Sequence, residues 1–412
     1  MRVTHPTTGD IVAGISVALL ALPQGLAYAE LAGLPAQHGL YAAALPCLFA
    51  ALFASSPYLQ TGPVAVTALL TFGALQSIAE PQTPKYIELA ALLALLVGII
   101  RLCLGLLNLG KIANLLTDPV ILGFTSGAAI LIIFSQLPKT LGVEDVDGGV
   151  LRSGFHAVSN PQQWHGYAIL FSIGTIITIF GGRRLHRLFP GVLLSVTLGI
   201  FISWVTNYSG SVVGELEAGF LSLNFKFAWS SISELLLPAF VIALVGFAEP
   251  ASIARTFATE ENSHWDPNKE MVSQGVANLA AAISHAFPVG GSFGRSALNR
   301  FAGAKSAWSG AITGAFVLIA LPFTFLLEHL PSSILGATVI GAVIRLIKLK
   351  NFVDYIRNDV SGAVVGFGTL IATLATSPRI ERGILIGLVL SSASYFLTKR
   401  KNQDRSEKLL DQ

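Results

Sequence analysis

Apolar stretches close to twenty residues long recur along the whole of this chain, and that recurrence restricts what it can fold into more than any other feature. A backbone inside lipid must satisfy its own N–H and C=O groups, so only helices and closed barrels can span. The stretches are continuous rather than alternating, which excludes a membrane β-barrel and leaves an all-α polytopic membrane protein. With only 12% charged residues and 53% hydrophobic ones, the surface cannot mostly face water.

About fourteen spans are expected, near 9–31, 39–55, 63–73, 86–107, 118–136, 165–181, 189–206, 233–255, 269–286, 292–303, 306–327, 331–347, 359–377 and 380–398. The connections on one side hold Lys111, the cluster Arg183, Arg184 and Arg187, then Lys305, Arg345, Lys348, Lys350, Arg357 and Lys399 to Lys401. Those on the other side hold only Lys85, Lys139, Arg152, Lys226, Arg379 and Arg382. By the positive-inside rule both termini are cytoplasmic. The opening apolar stretch runs on into functional-looking sequence, so no cleavable signal peptide is expected. The setting expected is a bacterial inner (plasma) membrane. Cys47 and Cys103 lie in apolar segments and form no framework, so neither a disulfide nor a metal site is expected.

The long connection 207–232 separates two sets of seven spans. An odd number per set inverts the second relative to the first, giving a 7+7 inverted repeat. In each set the third span is broken. Thr61-Gly62-Pro63-Val64-Ala65-Val66-Thr67 leads into a short helix, and so does Gly290-Gly291-Ser292-Phe293-Gly294-Arg295-Ser296. Ten helical residues cover only ~15 Å, half a hydrocarbon core. Two such half-helices would begin at mid-membrane from opposite sides, each presenting unsatisfied N–H groups and about half a positive charge. That arrangement favours an anion.

Other residues converge on the same idea. Leu22-Pro23-Gln24-Gly25 weakens the first span at mid-depth, and Gln24 and Tyr28, four apart, share one face. The plainer account is a packed proline kink with Gln24 bonding a carbonyl. Ser292 can cap the second short helix or donate to substrate, and Arg295 in its first turn is a costly intramembrane cation. Glu249, in an otherwise apolar span, must be protonated, paired or hydrated. Beside an anion it is a candidate proton carrier, with Glu30 a second. The alternative is a permanent structural lock between Glu249 and Arg295 or the backbone. Asp10 and Asp118 begin helices and read as dipole partners, and Asp266 or Asn268 as a helix cap. No Walker motif, nucleophile elbow or zinc-ligand pair appears, so an enzyme is not expected.

Pro35-Ala36-Gln37-His38-Gly39-Leu40-Tyr41 and Thr61-Gly62-Pro63-Val64-Ala65-Val66 together resemble the SulP family of sulfate permeases, anion transporters related to prestin. The resemblance continues at Glu249, Arg255-Thr256-Phe257-Ala258, Asn268-Lys269-Glu270 and Gly291-Ser292-Phe293-Gly294-Arg295-Ser296-Ala297, so it spans nearly the whole chain. It implies a transmembrane transport domain over 1–400, with a core about 8–107 and 233–328 and a gate about 112–206 and 331–398. Transport would be elevator-like. The family's site matches Gln24, Tyr28, Val64, Ala65, Glu249, Ser292, Phe293 and Arg295. The family's cytoplasmic STAS domain is not matched, since only a tail over 401–412 follows. Ala54-Ser55-Ser56 also stands where Gly-Thr-Ser is usual.

The function expected is therefore secondary active anion transport, proton-coupled symport of sulfate or a small organic anion such as a dicarboxylate. Competing readings are an anion exchanger or bicarbonate transporter, a nucleobase permease of the same architecture, and a non-transporting voltage-responsive anion sensor. The partners expected are the anion, protons and membrane lipid, with a homodimer allowed and no nucleic acid or cofactor.

Overall fold

A computed structural model describes residues 5–111, 117–186, 189–216, 221 and 223–410. Arg187 of the basic cluster, the first residues of the expected gate (112–116) and the end of the tail (411–412) lie outside the described residues. The described chain folds into α1 (Thr8–Leu31), α2 (Gln37–Phe53), β1 (Thr61–Gly62), α3 (Ala65–Leu75), α4 (Pro84–Leu106), α5 (Asp118–Leu141), α6 (Val150–Ser159), α7 (Gly166–Leu185) and α8 (Gly191–Val205). There follow α9 (Ile232–Glu260), α10 (Pro267–Ile283), β2 (Gly290–Gly291), α11 (Phe293–Phe301), α12 (Trp308–Ala320), α13 (Ser332–Val343), α14 (Leu349–Asn358), α15 (Val360–Ala375) and α16 (Glu381–Leu410).

This is an all-α polytopic membrane protein. Among the described residues, six helical stretches are long and apolar enough to cross a bilayer, and five shorter ones are apolar. The outer surface is itself apolar. Leu170, Ile173 and Ile177 of α7 are exposed at helical spacing, as are Val364, Phe367 and Ile371 of α15. Such faces suit lipid contact.

Two helices fall where the sequence reading places connections. α6 and α14 each have only ten residues. In α14, Leu349, Val353 and Ile356 are exposed, whereas Phe352 is buried against Phe367 with ring centroids 4.7 Å apart. Flanked by Lys348, Lys350 and Arg357, it has the character of a helix lying along the membrane surface. Hydropathy over a twenty-residue window blurs elements of this size into loop. The expected span 306–327 also divides: α12 ends at Ala320 and tightens into a 3-10 helix over Leu321–Leu327, where Pro322 brings no N–H. α16 runs on through 401–410 as one helix with the last span.

Helix starts follow from local chemistry. In α1 the Thr7 hydroxyl accepts from Asp10 N, while Asp10 accepts from Thr7 N at 2.9 Å, a reciprocal cap. Asp10 also accepts from Lys305 N at 2.8 Å and Ser306 N at 2.9 Å, tying the start of α1 to the loop before α12. Asp266 caps α10 by accepting from Asn268 N and Lys269 N. Buried Glu270 accepts from Ser55 N at 3.1 Å and Ser56 N at 2.8 Å, which pins the turn after α2 onto α10.

Packing sorts the helices into two groups. α4 lies on α10 and α9, α2 on α10 and α12, and α1 on α2, α11 and α12. In the other group α5 packs on α15, α13 and α6, α13 on α7, and α15 on α16. Backbones approach closely in the first group: a Cβ on Gly25 would lie 2.7 Å from the Gly39 carbonyl oxygen, so α1 and α2 cross at glycine. Between the groups, Glu30 of α1 pairs with Lys139 of α5 at 2.5 Å.

Candidate functional site

The two breaks meet. β1 and β2 form an antiparallel ladder with Thr61 opposite Gly291 and Gly62 opposite Gly290, and Ser292 N donates to the Gln60 carbonyl at 3.0 Å. Each break thereby satisfies backbone groups of the other, as irregular structure at this depth requires. From this ladder α3 and α11 depart. Gly62 adopts φ +153°, and a Cβ there would lie 3.3 Å from Nη2 of Arg295, so the position accommodates a guanidinium and no side chain of its own.

α3 begins after Val64, which is extended and offers no side-chain cap. Its first-turn N–H groups are therefore left for another acceptor. α11 begins after Ser292, whose hydroxyl accepts from Arg295 N at 3.4 Å, the capping role expected of it. Glu249 of α9 stands at the same helix start, with Phe293 N directed at its Oε1 at 3.5 Å. Arg295 is 1% exposed, and neither Nη1 nor Nη2 has a hydrogen-bond partner. No ion pair within 4 Å joins it to Glu249 among the described residues; the contact Glu249 makes here is to the backbone N–H of Phe293. Tyr28, Cys47 and Glu249 are the groups near enough to act electrostatically on the guanidinium.

Of the remaining sequence-derived residues, Tyr28 lies within electrostatic reach of Arg295 and Glu249, and Val64 approaches Gly290 of β2. Tyr28, Val64 and Ala65 are buried, and Ser292 and Glu249 are half-buried. Gln24, half-buried in the proline-containing α1, has an Oε1 acceptor without a partner. Phe293 contributes its backbone N–H; its ring is 55% exposed and stacks on Phe257 with centroids 6.4 Å apart. Glu30 is elsewhere, in its pair with Lys139.

Behind the ladder is a polar scaffold that the sequence reading does not single out. Arg101 of α4, fully buried, donates to the carbonyls of Ala243 (3.0 Å), Val289 (2.9 Å) and Ile242 (3.0 Å). Asn278 of α10 holds Val289 on both sides, donating to its carbonyl at 3.1 Å and accepting from its N–H at 3.0 Å. Gln274 donates to the Thr61 hydroxyl at 2.7 Å, and the Cys47 thiol to the Thr61 carbonyl. The signal for Arg101 is present in the sequence: a lone cation within the apolar run 86–107. No cluster of metal-ligating side chains occurs among the described residues.

A helical membrane protein with two broken helices joined start to start, around a buried unpaired guanidinium, has the construction of a membrane transporter. The chain belongs to the sulfate permease family, whose sequence profile matches residues 7–369. It is 34% identical over 395 residues to the chloroplastic Sulfate transporter 4.1 of Arabidopsis thaliana, an alignment covering 93% of this chain and 57% of that one. The chain thus spans little more than half the length of that relative. In fold it is similar to the murine Solute Carrier 26 family member A9 anion transporter in its inward-facing state (TM-score 0.87, 21% identity, 97% of this chain and 70% of that one). It is likewise similar to the transmembrane domain of a cyanobacterium bicarbonate transporter (TM-score 0.77, 23% identity, 93% and 96%). The relatives matched are transporters rather than enzymes.

Proposed function

We propose that this protein is a secondary active transporter of sulfate or a small organic dianion, coupled to protons through Glu249. The observation that carries the reading is Arg295, buried to 1% exposure at the joined helix starts with both terminal nitrogens unpartnered. A buried cation without a partner is costly, and an anion resting between it and the first-turn N–H groups of α3 supplies what is lacking.

Glu249 gives the coupling. Its carboxylate takes the Phe293 N–H at the start of α11, a position an incoming anion also favours. Two negative charges so close repel, and protonation of Glu249 removes the repulsion. Proton and anion then bind together and move together. Gln24, Tyr28 and Ser292 would orient the anion's oxygens, with Val64 and Ala65 forming the wall on the α3 side.

For the movement, α1–α4 and α9–α12 are assigned to a core carrying the site, and the other helices to a gate past which it travels in an elevator-like manner. The sorting of contacts into those two groups supports the division, and the antiparallel ladder supports a fourteen-segment inverted repeat. Cytoplasmic termini, a bacterial inner membrane and a homodimer complete the reading, the first resting on loop charge.

The test is uptake of labelled sulfate into proteoliposomes, with and without an inward proton gradient. Accumulation should rise with the gradient and be competed by dicarboxylates. Uptake competed by uracil but not by sulfate would transfer the site to a neutral nucleobase, and uptake indifferent to the gradient would remove the coupling role of Glu249.

A further inference from the structure

We infer that a cavity at the starts of α9 and α16 seats the headgroup of an aminophospholipid of the phosphatidylethanolamine type, with its acyl chains lying along the exposed sides of the two helices. This goes beyond the transport reading and does not depend on which anion is carried.

The cavity has a volume of about 710 Å³, within the range of roughly 300–1,000 Å³ usual for small-molecule sites. Charges of both signs line it: Lys85 of α4, Arg379 ahead of α16, Glu381 and Arg382 in the first turn of α16, and Glu234 in the first turn of α9. No two of opposite sign lie within 4 Å of each other among the described residues. Arg379 donates from Nη2 to the Ser77 hydroxyl at 3.1 Å. Glu381 is only 7% exposed, and its Oε2 has no hydrogen-bond partner.

Charges gathered around one space without pairing are what a zwitterion can bridge, with phosphate among the three cations and an ammonium against the carboxylates. A simple anion answers the cations but leaves a buried carboxylate oxygen without a donor, and is repelled by it besides. A primary ammonium brings three N–H donors to that oxygen.

Along both helices the charged lining gives way to apolar surface. On α9, Ser233 and Leu237 line the cavity and Phe240 continues the same face, with Leu237 and Phe240 exposed. On α16, Arg382 lines it, and Ile386 and Val389 follow at helical spacing, both exposed. The apolar stretch extends about 10 Å for seven residues, which acyl chains can cover and a soluble zwitterion cannot. Trp229, exposed just ahead of α9, is of the type that gathers where hydrocarbon meets headgroups. Lys85, Arg379 and Arg382 are also three of the six cations that the sequence places on the face with fewer of them, a gathering that the positive-inside rule does not account for.

Native mass spectrometry of the purified, delipidated full-length chain tests this, with phosphatidylethanolamine, phosphatidylcholine and phosphatidylglycerol of matched acyl chains as probes. Wild type should hold one phosphatidylethanolamine about tenfold more tightly than phosphatidylcholine, whose trimethylated nitrogen has no N–H, and than phosphatidylglycerol, which has no cation. Glu381→Gln should bring phosphatidylethanolamine and phosphatidylcholine to within about threefold of each other, and Glu234→Gln, at an exposed position, should narrow the gap as well. Arg379→Gln combined with Arg382→Gln should weaken both lipids alike, by about tenfold. Equal affinity of wild type for the three lipids overturns the inference without any variant, and so does selectivity untouched in both glutamate variants. Glycerophosphoethanolamine binding as tightly as the lipid would make the occupant a soluble zwitterion. Displacement of phosphatidylethanolamine by inorganic phosphate alone would make the cavity a plain anion site. Either result overturns the lipid assignment. Absence of sulfate uptake in protein that keeps this lipid preference overturns the transport reading and leaves the lipid site standing.

Discussion

At the scale of single residues the site is defined by charges with unusual partners. Arg295 has none within hydrogen-bonding distance at its terminal nitrogens, and Arg101, in the scaffold behind the ladder, has only carbonyls. Arg295→Ala should lower sulfate uptake by about two orders of magnitude, because a charge-assisted contact to the anion is lost, while the purified protein remains monodisperse. Uptake at wild-type rate in that variant would displace the anion from α11. Glu249→Gln should keep anion binding and lose its dependence on the proton gradient, since an amide cannot titrate; continued gradient-driven accumulation would assign the proton elsewhere. Asp10 stands apart from transport chemistry. It accepts from five groups on Thr7, Lys305 and Ser306, so Asp10→Ala should destabilise the fold by about 1–3 kcal/mol, read as a lowered Tm in detergent.

Elements show both what hydropathy can reveal and what it cannot. The glycine-containing breaks at 61–62 and 290–291 stand out in the sequence because Gly and Pro interrupt apolar runs, and the shortness of α3 and α11 follows from them. That the breaks pair as strands does not stand out, since a two-residue ladder is a tertiary contact between segments more than two hundred residues apart. α6 and α14 escape for a different reason: each is a ten-residue amphipathic helix, so its average hydropathy resembles that of a loop. The candidate site residues are legible in the sequence as types, a cation, a carboxylate and a cap. Which of them share a space is not. Glu30 and Glu249 are both acidic residues within apolar surroundings, yet only the structure separates an ion-paired side chain from one at a helix start. At the α1–α2 crossing, Gly25→Val would drive side-chain atoms into the Gly39 carbonyl, and a loss of about 1–3 kcal/mol is expected by thermal unfolding.

For the molecule as a whole, the pair Glu30–Lys139 is a checkable contact between the two helix groups. If the core moves past the gate, bridging an E30C/K139C pair with a reducible bifunctional thiol reagent should halt uptake and a reductant should restore it; full activity in the bridged protein would rule out relative motion at this point. The ladder between Thr61–Gly62 and Gly290–Gly291 has a further consequence. It is a suture made of main chain, so neither half of the protein owns the proposed anion site, and no displacement of one half-helix can leave the other behind. Amide hydrogens at the suture should exchange slowly with or without substrate, even as those lining the path between the two groups quicken and slow with each turnover.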